Sequence, residues 1–142
     1  IAHTYYWGDI HRENLGWERA QRISPARTAI RERVIYTFHQ DTPVLPPDML
    51  MTIWCAVMRL TQKGLVIGEQ ERISPWEALQ GITRHAAYQY FEENQKGSIS
   101  PGKLADLVIL DQNPLRVPPE KIKEIQVLYT IKEGEILYRK YR

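Results

Sequence analysis

Gly97-Ser98-Ile99-Ser100-Pro101-Gly102-Lys103-Leu104-Ala105-Asp106-Leu107-Val108-Ile109-Leu110 is the stretch on which the reading of this chain turns. Two glycines and a proline forbid regular structure over its first half. A fully apolar run, Leu107–Leu110, follows and reads as a short strand. Residues 112–124 form a proline-punctuated connection. Ile125–Ile131 reads as a second strand, with Gln126 and Lys132 as polar relief. Lys132-Glu133-Gly134-Glu135 is a hairpin turn, and Ile136-Leu137-Tyr138 is the returning strand. The last third of the chain is therefore a small β unit.

Upstream of this stretch the pattern is helical. Ser74-Pro75-Trp76-Glu77 is a capping box with proline at the first helical position. It predicts a helix to about Glu93, with Leu79, Ile82, Ala86 and Tyr90 on its buried side. Asp48 can cap an earlier helix, in which Leu50, Ile53, Trp54, Val57 and Leu60 share one face and Gly64 is the natural stop. Val34-Ile35-Tyr36-Thr37-Phe38-His39 is β-branched and aromatic and reads as a strand. It runs into Gln40-Asp41-Thr42-Pro43-Val44-Leu45-Pro46-Pro47, where proline again excludes regular structure. Ser24-Pro25 is a helix start, with serine as the cap and the helix running to about Arg33. Residues 1–23 read as a long loop with a short helix near Gly16–Ile23.

Composition narrows the class. In 142 residues, 43% are hydrophobic and 25% charged, as in ordinary globular proteins, which excludes wholesale disorder, collagen and coiled coil. The length is too short for a complete (β/α)8 barrel, which needs ~250 residues. A net charge of +2 with interspersed signs gives no reason to expect nucleic acid or a membrane surface as partner. No apolar run approaches the ~18 residues of a transmembrane helix. Cys55 is the single cysteine, so no intrachain disulfide can form. No basic-plus-apolar leader precedes His3, and the compartment stays open between cytoplasm, periplasm and secretion. A chain that opens at Ile1 directly on chemistry-bearing residues reads as a piece of a larger protein.

The candidate site residues lie in two places. His39 and Asp41 alternate onto the same face of the expected strand, at the kind of strand end where α/β folds gather their active sites. A carboxylate there can hold a metal or carry a proton. Capping of the following loop is the competing role for Asp41. His3, Trp7 and Asp9 sit in an aromatic loop with Tyr5 and Tyr6, suited either to walling a pocket or to packing on a neighbouring surface. His11 has weak claims, and His85, inside a helix, reads as a hydrogen-bonded structural histidine. His3, His39 and Asp41 could supply three ligands only if the loop folds over the strand. No His-x-His, Cys-x-x-Cys or His-Glu-x-x-His motif is present.

Gly97–Leu110 resembles the C-terminal signature of the amidohydrolase superfamily. His3-Thr4-Tyr5-Tyr6-Trp7-Gly8-Asp9, Gly16-Trp17-Glu18-Arg19-Ala20 and His39-Gln40-Asp41-Thr42-Pro43-Val44 resemble a narrower branch. That branch includes hydrolases described as exoenzyme regulatory proteins, and N-substituted formamide deformylase. The resemblance covers nearly the whole chain.

It implies an α/β fold: the C-terminal fragment of a (β/α)8 metallo-hydrolase barrel followed by a small β-sandwich segment. Residues 1–95 would be the last part of the barrel, from the exit of strand seven to helix eight. Residues 96–142 would be the returning sandwich strands. The implied reaction is hydrolysis of non-peptide C–N bonds by metal-activated water. Asp41 matches the strand-eight aspartate that binds metal and shuttles the proton, and is both the catalytic residue and the one metal ligand carried here. His3, Trp7, Asp9 and His39 match positions lining the substrate pocket. The parent enzyme would use a divalent metal, zinc in this reading, on a small amide-type substrate. The fragment alone would hold no metal stably and be inactive. Open strand edges and uncovered apolar helix surface imply a homo-oligomer, through edge pairing or segment exchange. The alternative is a non-catalytic binding or regulatory module derived from the same fold.

Overall fold

A carboxylate starts the central helix. Asp48 accepts from the Met51 amide at 2.9 Å and caps Met49–Met58, as its place before an apolar run predicts. The computed structural model describes residues 1–141. Among them the helices are α1 (His3–Tyr6), α2 (Gly8–Leu15), α3 (Trp17–Ala20), α4 (Ala26–Arg31), α5 (Met49–Met58), α6 (Pro75–Ile82) and α7 (Arg84–Gln89). The strands are β1 (Leu107–Leu110), β2 (Val127–Lys132) and β3 (Glu135–Arg139), and 3₁₀ turns span Glu69–Glu71 and Pro119–Glu124.

Helix α5 is buried because it is apolar almost all round. Every side chain from Thr52 to Val57 is buried. Around it gather Ile1 and Ala2, Ala26 of α4, Ile73, Ala78 of α6, and Ile122 of the second 3₁₀ turn. Ile122 thus fastens the C-terminal region to the helical layer. The helix stops earlier than Gly64. Arg59 turns left-handed at φ +54, and residues 59–67 fold into a tight antiparallel loop, with Thr61 donating its amide to the Leu65 carbonyl and Ile67 to the Arg59 carbonyl. Gly64, at φ +79, supplies the turn of that loop instead of a helix end.

Helix α6 begins on the expected capping box: the Ser74 hydroxyl accepts from the Glu77 amide at 3.2 Å, and Glu77 Oε2 accepts from the Ser74 amide at 2.7 Å. The single helix expected to Glu93 breaks at Thr83, whose φ/ψ of −123°/−85° is not helical, and resumes as α7. The break rotates the apolar stripe, so Tyr90 is 71% exposed. Gly97 has a packing reason: a Cβ there would stand 2.7 Å from the Ala87 Cβ.

The three strands form an antiparallel sheet in the order β1-β2-β3. Val108, Thr130 and Tyr138 are cross-strand partners, and so are Leu107, Ile131 and Ile136 on the opposite face. Glu133 and Gly134, at φ +52 and +88, make the two-residue turn that suits a right-twisted hairpin.

Three expectations are corrected. Residues 34–40 form no strand, because no other segment of the described residues pairs with their backbone; the sheet that forms is the antiparallel one alone. Ser24 does not cap α4: its hydroxyl bonds His3 instead, and Pro25 occupies the cap position without a side-chain bond. The first 23 residues hold α1 and α2 as well as the expected short helix, α3.

Candidate functional site

Side chains hold the segment leading to Asp41 where a strand was expected. The Tyr36 hydroxyl donates to the Glu77 carbonyl at 2.9 Å, and Thr37 donates to Gln89 Oε1 at 2.6 Å. His85 Nδ1 lies 3.1 Å from the Tyr36 carbonyl, the structural role expected for it. Tyr36 and Phe38 both lie over Gly81, where a Cβ would come within 3.0 Å of each ring. Gln40 is buried and donates to the Asp48 carbonyl at 2.6 Å. The residue before Asp41 is therefore tied to the start of α5.

Asp41 itself sits at φ +61, a conformation that aspartate tolerates better than bulkier residues. Its carbonyl accepts from the Val44 amide at 2.8 Å. The side chain projects outward with 68% of its surface exposed, and Oδ1 lies 3.3 Å from Nε2 of His39, itself 85% exposed. The two side chains meet here in an irregular turn and not as alternate residues of a strand. The carboxylate is not consumed by a cap: only the imidazole bonds it among the described residues.

A second cluster lies at the start of the chain. Helix α1 presents His3, whose Nδ1 is 3.0 Å from His11 Nε2 of α2 and whose Nε2 is 2.6 Å from the Ser24 hydroxyl. Burial, joined by the positive charges of His11 and Arg59, pushes the His3 pKa down to about 4, so its imidazole is neutral at pH 7. Ser24 has φ +47. Its backbone is held from behind by Arg59, which has no exposed surface and donates to the carbonyls of Ile67, Ser24 and Ile23.

The other expected pocket residues are placed as follows. Asp9 accepts from the Thr61 hydroxyl at 2.9 Å and the Lys63 amide at 3.2 Å, which ties α2 to the loop after α5. Trp7 packs against Tyr6 at 5.9 Å between ring centroids and borders the core. The structure does not unite His3, His39 and Asp41: no group of three or more His, Cys, Asp or Glu side chains placed to hold a metal exists among the described residues. Sequence reasoning gave His11 little weight and treated Ser24 as a cap. It also gave no role to Arg59, whose left-handed turn and burial carry no local signal.

A groove of about 630 Å³ runs between the sheet and the helical layer, lined by Leu50, Ile53, Leu79, Val108, Leu110 and Tyr138 among others. It contains none of the candidate site residues. No helix among the described residues is long and apolar enough to cross a membrane.

Comparisons with known proteins bear on this arrangement. The profile of the amidohydrolase family matches residues 1–138. Amidohydrolase YtcJ of Bacillus subtilis is 28% identical over 131 residues, 90% of this chain and 25% of that protein. N-substituted formamide deformylase of Arthrobacter pascens is 27% identical over 138 residues, 96% of this chain and 26% of that one. A solved structure of a metal-dependent hydrolase from Pyrococcus furiosus superposes with a TM-score of 0.57 at 28% identity, over 75% of this chain and 23% of the other. The chain spans about a quarter of the length of the curated relatives it matches.

Proposed function

The chain belongs to the amidohydrolase family, and from that membership we propose that it is the C-terminal portion of a metal-dependent hydrolase acting on amide-type C–N bonds outside peptides. The observation that carries this reading is the Asp41–His39 pair: an exposed carboxylate, in a turn tied through Gln40 to the start of α5, with an imidazole at 3.3 Å. The formamide deformylase and the metal-dependent hydrolase among its relatives support the reaction class.

The fit to a metal is partial. Asp41 offers a free oxygen of the hard-donor type that divalent ions accept. One carboxylate with a neighbouring imidazole falls short of the three protein ligands of catalytic zinc, and the described residues bring no third donor to the pair. In this reading the remaining donors lie in the rest of a longer hydrolase. The ion, when bound, activates water. The residues of this chain then have their own tasks. Asp41 takes a proton on a carboxylate oxygen and passes it to the leaving nitrogen. His39 orients that carboxylate. Trp7 and His3 face the substrate, and Asp9, engaged by Thr61 and Lys63, braces the wall they form. Residues 1–95 complete the catalytic layer and residues 96–142 the accessory sheet.

The test has two parts. Sequencing upstream of the codon for Ile1 should show an open frame encoding a His-x-His motif; a stop codon there overturns the reading. In the complete protein, Asp41→Asn should lower kcat for N-substituted formamide hydrolysis by roughly 10²–10⁴-fold with unchanged thermal unfolding, since the side chain is largely exposed. Full activity in that variant, or metal-dependent amidase activity in the 142-residue chain alone, would refute it.

A further inference from the structure

The cluster at Ser24 has the parts of an acyl-transfer site, and none of them involves Asp41. In such sites a hydroxyl lies within hydrogen-bond reach of a neutral base, and the base is oriented by a third group. Here Ser24 Oγ lies 2.6 Å from His3 Nε2, and His3 Nδ1 lies 3.0 Å from His11 Nε2. The tautomer that lets the serine donate to Nε2 places the proton on Nδ1, facing the ring nitrogen of His11 as acceptor. The two imidazoles meet edge to face, 5.1 Å between centroids and 72° apart.

The serine is also held in place. Its φ of +47 is costly for a residue with a Cβ and persists only where the surroundings impose it. The surroundings do so through its own carbonyl, which accepts from Arg59 Nη1 at 2.9 Å and from the Ala26 amide at 2.8 Å. The same guanidinium also holds the carbonyls of Ile23 and Ile67, which fixes the backbone on both sides of Ser24. The low pKa of His3 keeps the base unprotonated at neutral pH. A cap would need none of this, and Ser24 makes no bond to the backbone of α4 through its hydroxyl.

We propose that Ser24, His3 and His11 form a metal-independent nucleophilic site for compact carboxylic esters. Ser24 is the nucleophile, His3 the general base, and His11 the residue that positions His3. Partial burial of all three restricts the acyl group to a small one. Ser24 Oγ bonds to the ester carbonyl carbon, its proton moves to His3 Nε2, and the ester C–O bond breaks as that proton passes to the leaving alkoxide. Water then adds to the acyl-serine, His3 takes the water proton, and the Oγ–C bond breaks to release the acid and restore the hydroxyl. No oxidant or reductant is needed. This goes beyond the hydrolase reading above: it shares His3 with the wall described there, but no step uses Asp41 or a metal.

The experiment uses the 142-residue chain, with a fluorophosphonate as covalent probe and p-nitrophenyl acetate as ester, both in excess EDTA. Peptide mapping by mass spectrometry should place the phosphonyl adduct on Ser24, formed at least about 100-fold faster than on Ser98, an exposed serine outside the cluster. Ser24→Ala should remove both the adduct and p-nitrophenol release. His3→Gln should slow labelling by roughly 10²-fold or more. His11→Leu should slow it at least about tenfold, and His11→Gln, whose amide oxygen can still accept from Nδ1–H, should restore most of the rate. Labelling of unaltered protein at Ser24 no faster than at Ser98 overturns the proposal, whatever the variants do. Labelling lost on adding EDTA does the same.

Discussion

Arg59 donates through Nη1 to the Ser24 carbonyl at 2.9 Å, from a position with no exposed surface. Its other nitrogens serve Ile23 at 2.7 Å and Ile67 at 2.8 Å, so one guanidinium closes one buried and two part-buried carbonyls at the junction of α3, α4 and the loop after α5. An unmet buried carbonyl costs about 1–3 kcal/mol. Arg59→Met should therefore destabilise the protein by several kcal/mol, read as a lower urea midpoint. Arg59→Lys should recover little of it, because an ammonium cannot span three acceptors in a planar fork. A midpoint in Arg59→Met close to that of the parent would show that the three carbonyls find other donors.

Glu77 joins the capping box of α6 to α4. Arg27 donates Nη1 to Oε1 at 2.8 Å and Nη2 to Oε2 at 3.0 Å. Burial pushes the Glu77 carboxyl up, but hydrogen bonds from Ser74 and the Arg27 charge outweigh it and hold its pKa below the ordinary value of 4.5. The sign follows from proton binding. Below that value the unfolded chain takes up a proton that the folded state refuses, so this stabilisation is present above pH 4.5 and is lost as pH falls through the folded-state pKa. Glu77→Gln should cost about 1 kcal/mol at pH 7, kept small by the partial exposure of Arg27. It should also flatten the dependence of the urea midpoint on pH below 4.5. Unchanged steepness there would assign acid sensitivity to another group.

Ile122 and Tyr90 make a contrasting pair. Ile122 has no exposed surface and packs into the cluster around α5, whereas Tyr90 is 71% exposed. Ile122→Ala should cost about 2–5 kcal/mol and loosen the C-terminal region, with faster amide exchange in β1 to β3. Tyr90→Ala should fall within about 0.5 kcal/mol of the parent. Equal effects of the two substitutions would contradict the packing described.

What was legible in the sequence was what local chemistry decides. The Asp48 cap, the Ser74–Glu77 box and the Glu133-Gly134 turn each depend on residues within four positions of one another, and each formed as read. Leu107–Leu110 read as a strand and formed one because β2 lies within the chain to pair with it. Val34–His39 has as strong a β composition but finds no backbone partner here, so side chains from α6 and α7 anchor it. Ser24-Pro25 carries a helix-cap signal, yet His3, 21 residues away, takes the hydroxyl. His39 and Asp41 meet in an irregular turn with Asp41 at φ +61, so strand alternation does not account for their contact. The His3–His11 contact was not legible, because it requires the turn between α1 and α2 that aromatic, loop-like residues concealed.

The neutral state of His3 gives acid weakening of stability a second, higher window. Burial is its first cause, joined by His11 and Arg59, and the folded pKa is about 4 against an ordinary 6.5. Between those values the unfolded chain binds a proton at His3 that the folded chain does not. Stability contributed by neutral His3 is therefore whole above pH 6.5 and declines as pH falls toward 4, with a slope of at most about 1.4 kcal/mol per pH unit. The Glu77 contribution acts only below 4.5, so the two windows separate. Urea midpoints measured from pH 7 to pH 4 should fall steadily in the parent, and His3→Gln should be flat down to about pH 4.5 before the carboxylate phase begins. His3→Gln also loses the bond to Ser24, so its midpoint at pH 7 should lie below the parent's, and the two curves should converge near pH 4. A parent curve that is flat from pH 6.5 to 4.5 would show that His3 titrates alike in both states and would overturn this assignment.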